Sequence, residues 1–386
     1  MNFRSVVRGL VVLLISSMCV AQNSGSSASG RIEAASSPPR PQPMEKVFKN
    51  IQVLKGVPST ELLQIMHFMR SSLGVRCEYC HVAENGKYQL DVKKEKQRAR
   101  EMIVMTRQLN QVSFGGVNVI TCNTCHRGSV MTTSVPEIGS PFMNVVRREP
   151  EEPVTSRLPR VPEVFARYQA ATHISALSAV HLQLEGWHMK VADAGTPRAR
   201  AIARAATVTG EDLIDGDKAL ARSPLPSGEF MLVGSNGKRA WTFGPDGLHW
   251  IPDSDFAQFQ RKLNPLLVLR IRADDFVQTE VSSMEMIGAR EAYVVTATGM
   301  DGTQQKLWFA VDDGLLLRRT FYHPIALGLD PEQFDFSAYK SYDGIQLPSQ
   351  INASYLDDQH LGVLKKIIEI KFNVPVSDRD FMPPDK

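Results

Sequence analysis

The sequence predicts two domains: a mainly α domain, then an antiparallel β domain folded as an open or partly closed barrel. Three observations lead there. Between Pro58 and Gly128 a helix-spaced apolar run, a cysteine pair, a second helical run and a second cysteine pair follow one another. From about residue 161, short alternating or β-branched runs take over. The dipeptides Asn236-Gly237, Asp246-Gly247, Asp301-Gly302, Asp313-Gly314 and Asp343-Gly344 then punctuate those runs as hairpin turns do.

Taken in order, residues 1–21 read as a Sec-type signal peptide. Arg4 and Arg8 supply the positive region, Leu10 to Ile15 the apolar one, and Cys19-Val20-Ala21 a small-x-small cleavage site before Gln22. The apolar run falls short of the roughly 20 residues that cross a bilayer. The expectation is therefore a periplasmic or otherwise exported protein with no membrane span after cleavage. Residues 22–43, rich in Ser, Gly, Pro and Ala, read as a flexible linker.

The first domain is assigned to residues 44–150. Pro58-Ser59-Thr60 starts a helix whose apolar positions are Leu62, Ile65, Met66, Met69 and Leu73, and Gly74 ends it. A second helix grows out of the charged stretch Lys93 to Arg100. Its less polar face is expected at Ala99, Met102, Ile103, Thr106 and Leu109, and Gly115-Gly116 breaks it. Arg147 to Pro153, dense in charge and proline, signals the boundary, with a linker over 151–160 and the β-rich domain over 161–386. That domain should open with a helix around Val164 to Leu182. Strands are expected at Phe230 to Val233, Arg239 to Phe243, Ala292 to Ala297, Leu307 to Val311, Leu315 to Tyr322 and Ile367 to Phe372.

Apolar residues make up 43% of the chain and charged ones 22%, as in globular proteins, and the net charge is only +3. Nothing in that balance favours a nucleic-acid partner. Of the five cysteines, Cys19 lies in the leader. The other four fall in Cys77-Glu78-Tyr79-Cys80-His81 and Cys122-Asn123-Thr124-Cys125-His126. Both are C-x-x-C-H, the spacing of covalent c-type haem attachment. Two thiols add to the two porphyrin vinyl groups, and the adjacent histidine meets the iron. A zinc site built from the four thiols would leave both histidines unexplained. A redox dithiol needs one pair in a βαβ setting. The residues therefore call for two haems c, with His81 and His126 as axial ligands. A sixth ligand is expected from methionine, which raises the potential of an electron carrier. Met66 and Met69 precede the first motif, and Met102 and Met105 the second. Spacing alone leaves the choice within each pair open. Arg127, next to the second motif, is placed to meet a haem propionate. The basic run Lys93, Lys94, Lys96, Arg98 and Arg100 reads as a solvated face, with docking of an acidic redox partner or contact with haem propionates as the sharper alternatives.

The stretch from Val47 to Gly128 resembles the cytochrome subunit of photosynthetic reaction centres. The carrying residues are NIQVLKGVPSTELLQIMHFMRSSLGVRCEYCH, REMIVMTRQLN and VITCNTCHRG. In that family a helix before each haem motif presents the methionine ligand, which implies Met66 for the first unit and Met102 for the second. Members of the family typically carry four haems, and this chain has two motifs. A family histidine serving a further haem would fall near Gly116, where there is none. The chain thus looks like a shortened two-haem relative, a departure that leaves docking to a photosynthetic reaction centre an open question. From about residue 161, GAREAYVVTAT, KLWFAVDDGLLLRR and YKSYDGIQLP loosely resemble lipoprotein-carrier open β-barrels. That resemblance implies a curved sheet around an apolar cavity, and with it an apolar ligand.

The function expected is single-electron transfer between a redox protein donor and acceptor, without bond chemistry. A di-haem peroxidase-like oxidoreductase is the enzymatic alternative, and a haem-linked sensor or binding protein the third. No paired carboxylates or nucleophile arrangement mark the β region, where His249, His323 and His360 stand isolated.

Overall fold

The computed structural model describes residues 41–82, 87–132, 158–174, 180–191, 210–225, 228–253, 255–356 and 361–384. The leader, most of the 22–43 linker and the Arg147–Pro153 boundary lie outside the described residues. Residues Arg40–Lys386 form one compact unit.

The helical part comes first. A short helix α1 (Met44–Val47) is tied to the run before the next helix by Met44 N–H donating to the Val57 carbonyl at 2.7 Å and Ser59 N–H to Gln42 at 2.8 Å. Helix α2 (Leu62–Leu73) ends at Gly74, whose φ of 65° is the left-handed closure that glycine adopts without strain. The first motif forms α3 (Cys77–Cys80). Helix α4 (Lys94–Ser113) follows and stops before Gly115 and Gly116, both at positive φ. The second motif forms α5 (Cys122–His126), started by Thr121 N–H donating to Thr124 Oγ1 at 3.0 Å. The buried face of α4 differs from the expected one. It carries Arg100, Ile103, Thr106 and Asn110, while Leu109 is exposed. Arg100 and Asn110 turn inward because each meets a fixed partner there, as described below, while the Thr106 hydroxyl donates to the Met102 carbonyl of its own helix at 3.0 Å.

The β region holds α6 (Val161–Thr172) and a thirteen-stranded antiparallel sheet in the order β6-β5-β4-β3-β2-β1-β13-β12-β11-β10-β9-β8-β7. Strands β1 (Val180–Val191) to β6 (Gly247–Trp250) step outward to one edge. The chain then crosses through α7 (Phe256–Leu263) and α8 (Pro265–Leu269) to the opposite edge strand, β7 (Phe276–Ile287). From there it steps back to β13 (Leu361–Phe372), which pairs with β1. The sheet is not closed, as β6 and β7 are not paired with each other. All six strand expectations fall on strands, and the glycine of each of the five expected turn dipeptides has positive φ. The expected helix around Val164 to Leu182 is shorter. It ends at His173 in the left-handed region, and Leu182 belongs to β1. Val164, Phe165 and Tyr168 of α6 and Leu266 and Leu269 of α8 pack on Phe309, Phe334 and Phe336 of the sheet to form the main core.

A second, smaller core joins the two parts. Met44, Leu54, Val57, Ile65, Phe68 and Ile103 bury together with Ile325 and Leu327, from the turn between β10 (Leu316–Ile325) and β11 (Gly328–Tyr342).

Candidate haem-attachment site

Both motifs present cysteines one helical turn apart. Cys77 and Cys125 are exposed, Cys80 and Cys122 half-buried, and all four are free thiols. Burial pushes the Cys80 and Cys122 thiols up. A dithiol tuned for exchange is shifted the other way. Among the described residues, no three His, Cys, Asp or Glu side chains converge as a metal cluster.

The histidines are the informative groups. His81 Nδ1 lies 2.9 Å from the Tyr88 carbonyl, and His126 Nδ1 lies 3.0 Å from the Ser129 carbonyl. A carbonyl only accepts, so each Nδ1 donates there, and in the neutral ring each Nε2 keeps its lone pair. Fixing the tautomer through the distal nitrogen is how a metal-ligating histidine is oriented. The two motifs do this independently, with carbonyls at different sequence distances.

The carbonyl facing His81 is itself held. Lys96 Nζ donates to the Tyr88 carbonyl at 2.9 Å and to the Leu90 carbonyl at 3.0 Å, and pairs with Asp91 at 3.1 Å. Arg100 grips both Asp91 oxygens, at 2.8 and 2.9 Å. Lys93 donates to the Glu78 carbonyl inside the first motif. The Arg100 guanidinium and the Asn50 amide hold the Asp91 carboxyl well below the usual carboxylate range. Lys96 and Arg100 of α4, and Lys93 just before it, therefore brace the first motif, while Lys94 and Arg98 stay exposed. In the second unit Asn110 plays the bracing part. Its amide donates to the Ile120 carbonyl at 2.7 Å and its oxygen accepts from Ile120 N–H at 2.9 Å, which sets the approach to Cys122. Sequence reasoning missed these braces. The signal available was polar residues at helical spacing (Arg100, Thr106, Asn110) around a single apolar one.

The end of α2 meets the second motif closely. Gly128 N–H donates to the Ser72 carbonyl at 2.8 Å, and a Cβ on Gly74 would lie 2.0 Å from the Gly128 carbonyl oxygen. Met66 and Met69 are half-buried beside the small core, which Cys122 also touches. On α4, Met102 is half-buried and Met105 is exposed. Arg127 is exposed and occupies the left-handed region just after α5.

The surroundings suit a large apolar plate. Tyr79, Tyr88, Leu90, Val92, Val104, Met105, Val112, Phe114 and Met131 are all exposed within this short segment. With paired thiols and lone-pair-bearing imidazoles beside them, the donor set fits a haem at each motif.

The model of the family described as Photosynthetic reaction centre cytochrome C subunit matches residues 8–144. Cytochrome c-554 of Chloroflexus aurantiacus is 30% identical over 103 residues, covering 25% of this chain and 24% of its own length, so the chain spans about a quarter of that relative. Among solved structures, a LolA superfamily protein from Nitrosomonas europaea aligns with a TM-score of 0.42 at 12% identity, covering 58% of this chain and 99% of its own. A DUF1329 family protein from Desulfovibrio piger aligns at 0.40 and 16% identity, covering 57% and 97%. No described helix is long and apolar enough to cross a membrane. Over residues 8–144 the chain therefore carries a cytochrome-type segment that matches the photosynthetic reaction centre cytochrome C subunit family.

Proposed function

We propose that this protein is an exported di-haem c-type cytochrome that passes single electrons between a redox protein donor and acceptor. The observation that carries the reading is the paired histidine geometry. Two C-x-x-C-H motifs each present an imidazole whose Nδ1 is tied to a carbonyl and whose Nε2 is left for iron. A haem supplies a reversible one-electron centre when bound. The chain's own residues do the rest. Cys77 and Cys80 would tether one haem, and Cys122 and Cys125 the other. His81 and His126 would each give the iron an imidazole nitrogen, and Met66 and Met102 a thioether sulfur. Lys96, Arg100 and Asn110 hold the loops that orient the imidazoles, so little moves when the charge on the site changes. Arg127 would meet a propionate of the second haem. The signal peptide at 1–21 takes the chain to the periplasm or beyond, and residues 44–150 and 161–386 act as the haem-bearing and β-rich parts.

The test is spectroscopic. The mature chain, made with haem-attachment machinery, should show two covalent haems and the weak red-end band of sulfur ligation to ferric iron. Met66→Ala and Met102→Ala should each remove part of that band. Unchanged spectra in both would move ligation to Met69 or Met105. A five-coordinate haem in the unaltered protein would favour the peroxidase-like alternative.

A second reading, binding of an apolar ligand, rests on one observation. A cavity of about 230 Å³ lies between α7 and the sheet, walled by Ala221, Val233, Phe259, Leu263, Phe334 and Ile351. Displacement of an environment-sensitive fluorescent fatty acid, abolished by Ala353→Trp at the cavity wall, is the expected result. No saturable binding would remove this reading and leave the first intact.

A further inference from the structure

The turn between β10 and β11 breaks the pattern of its neighbours. Six other hairpin turns in the sheet carry Asn-Gly or Asp-Gly, Asp215-Gly216 between β2 and β3 among them. This one is Ile325-Ala326-Leu327-Gly328, with Ile325 paired to Gly328. Ile325 is 8% exposed and Leu327 5% exposed, whereas the next residue but one, Leu329, is 42% exposed. An apolar hairpin tip is a liability unless something covers it. Here α2 and the second motif cover it.

The contacts run to both ends of α2. At its start, Ala326 N–H donates to Glu61 Oε2 at 2.8 Å. At its end, Arg70 and Ser71 both donate to the Leu356 carbonyl, at 3.3 and 3.1 Å, just beyond β12 (Ile345–Tyr355). Between them Ile325 and Leu327 enter the small core that also holds Ile65, Phe68, Met66, Met69 and Cys122. The Ala326 carbonyl accepts from Asn118, which lies on the approach to the second motif. Gly328 completes the fit. A Cβ there would lie 2.9 Å from the Phe68 ring and 3.3 Å from Thr121 Cγ2. A twelve-residue helix is marginal by itself in water, so α2 takes its position from such contacts.

We infer that Ile325, Ala326, Leu327 and the Leu356 carbonyl are positioning residues for the haem-bearing segment. The sheet supplies a wall of that site, clamping the methionine-bearing α2 at its first and last turns against the second motif. Only the redox part of this inference rests on the electron-carrier reading. Its consequence is that the haem ligated from α2 owes part of its potential to the sheet. Burial in apolar surroundings disfavours the more highly charged ferric site, so loosening the clamp lowers that haem's potential.

The experiment uses full-length haem-loaded protein with Leu327→Ala, the milder Glu61→Gln, and Leu329→Ala as an exposed control on the same hairpin. Amide hydrogen exchange is followed across Leu62–Leu73, and the potentials of both haems are titrated. The expected result is faster exchange in α2, on the order of tenfold for Leu327→Ala, with a smaller rise for Glu61→Gln and none for Leu329→Ala. One haem potential falls and the other holds. Unchanged α2 exchange in both Leu327→Ala and Glu61→Gln would overturn the inference. So would faster exchange with both potentials unmoved, since the contact would then be structural only. Absence of covalent haem would contradict the electron-carrier reading, while the exchange arm would still decide whether the clamp exists.

Discussion

Phe309, Phe334, Leu266 and Leu269 are buried entirely by other residues of the β region, which closes its own core between α6, α8 and the sheet. Among its described residues, the cysteine-bearing segment buries only Met44, Leu54, Val57, Ile65, Phe68 and Ile103 of its own large apolar residues, and needs Ile325 and Leu327 from the sheet to complete the cluster. It also leaves many apolar side chains exposed around the motifs. The difference shows two ways of specifying structure. The sheet is held by area removed from water. The segment is held by polar braces and one borrowed hairpin.

The largest effect expected on either region is all-or-none. Cys122→Ala with Cys125→Ala should halve the haem-to-protein ratio, read by pyridine haemochrome absorbance against protein concentration. An unchanged ratio would mean that the motifs do not hold haem. Next in size, Phe309→Ala should lose about 3–5 kcal/mol in urea unfolding, because the ring is fully enclosed and contacts both Phe165 and Tyr168. A loss below about 1 kcal/mol would show that the β core is not closed as described.

Gly74→Ala comes third and sharpens the contrast, since here backbone rather than area is at stake. Left-handed geometry costs a non-glycine residue about 1–2 kcal/mol, and the 2.0 Å approach to the Gly128 oxygen adds to it. Gly128→Ala has the same kind of φ but open space around its Cβ, so it should cost only the backbone part. Equal losses in the two variants would contradict the close packing of α2 on the second motif.

The smallest effect is the pH dependence of the Asp91 brace. Its carboxyl titrates below the ordinary carboxylate value in the folded chain, so it stabilises the fold above about pH 4. That contribution is lost as pH falls through the lowered folded value. The stability gap between the unaltered protein and Asp91→Asn should therefore be greatest near neutrality and close in strong acid. Because Asp91 is partly exposed, the gap is modest and shrinks with added salt. A gap that widens on acidification would refute the assignment.

Much of this molecule is legible in its sequence, for physical reasons that differ by region. The strands show through because a half-buried strand must alternate, and because Asn-Gly and Asp-Gly are what tight hairpins require. The haem motifs show through because attachment chemistry fixes a five-residue spacing. The start of β1 did not, since the apolar residues around Val180 fit a continuing helix as well as a strand. The face of α4 was misread because Arg100 and Asn110 are buried by partners outside the helix, Asp91 and Ile120. The clamp on α2 was out of reach for the same reason at longer range, since Glu61 and Ala326 are 265 residues apart. Its only local trace is a hairpin turn without a polar residue.

The central claim is that two one-electron centres sit in this segment. It is tested most directly by an optically monitored potentiometric titration of the mature, haem-loaded protein. The account predicts two covalent haems per chain and two reversible one-electron waves, with no coordination site open to carbon monoxide in the reduced state. A chain without covalent haem, or a reduced haem that binds carbon monoxide at once, would contradict it.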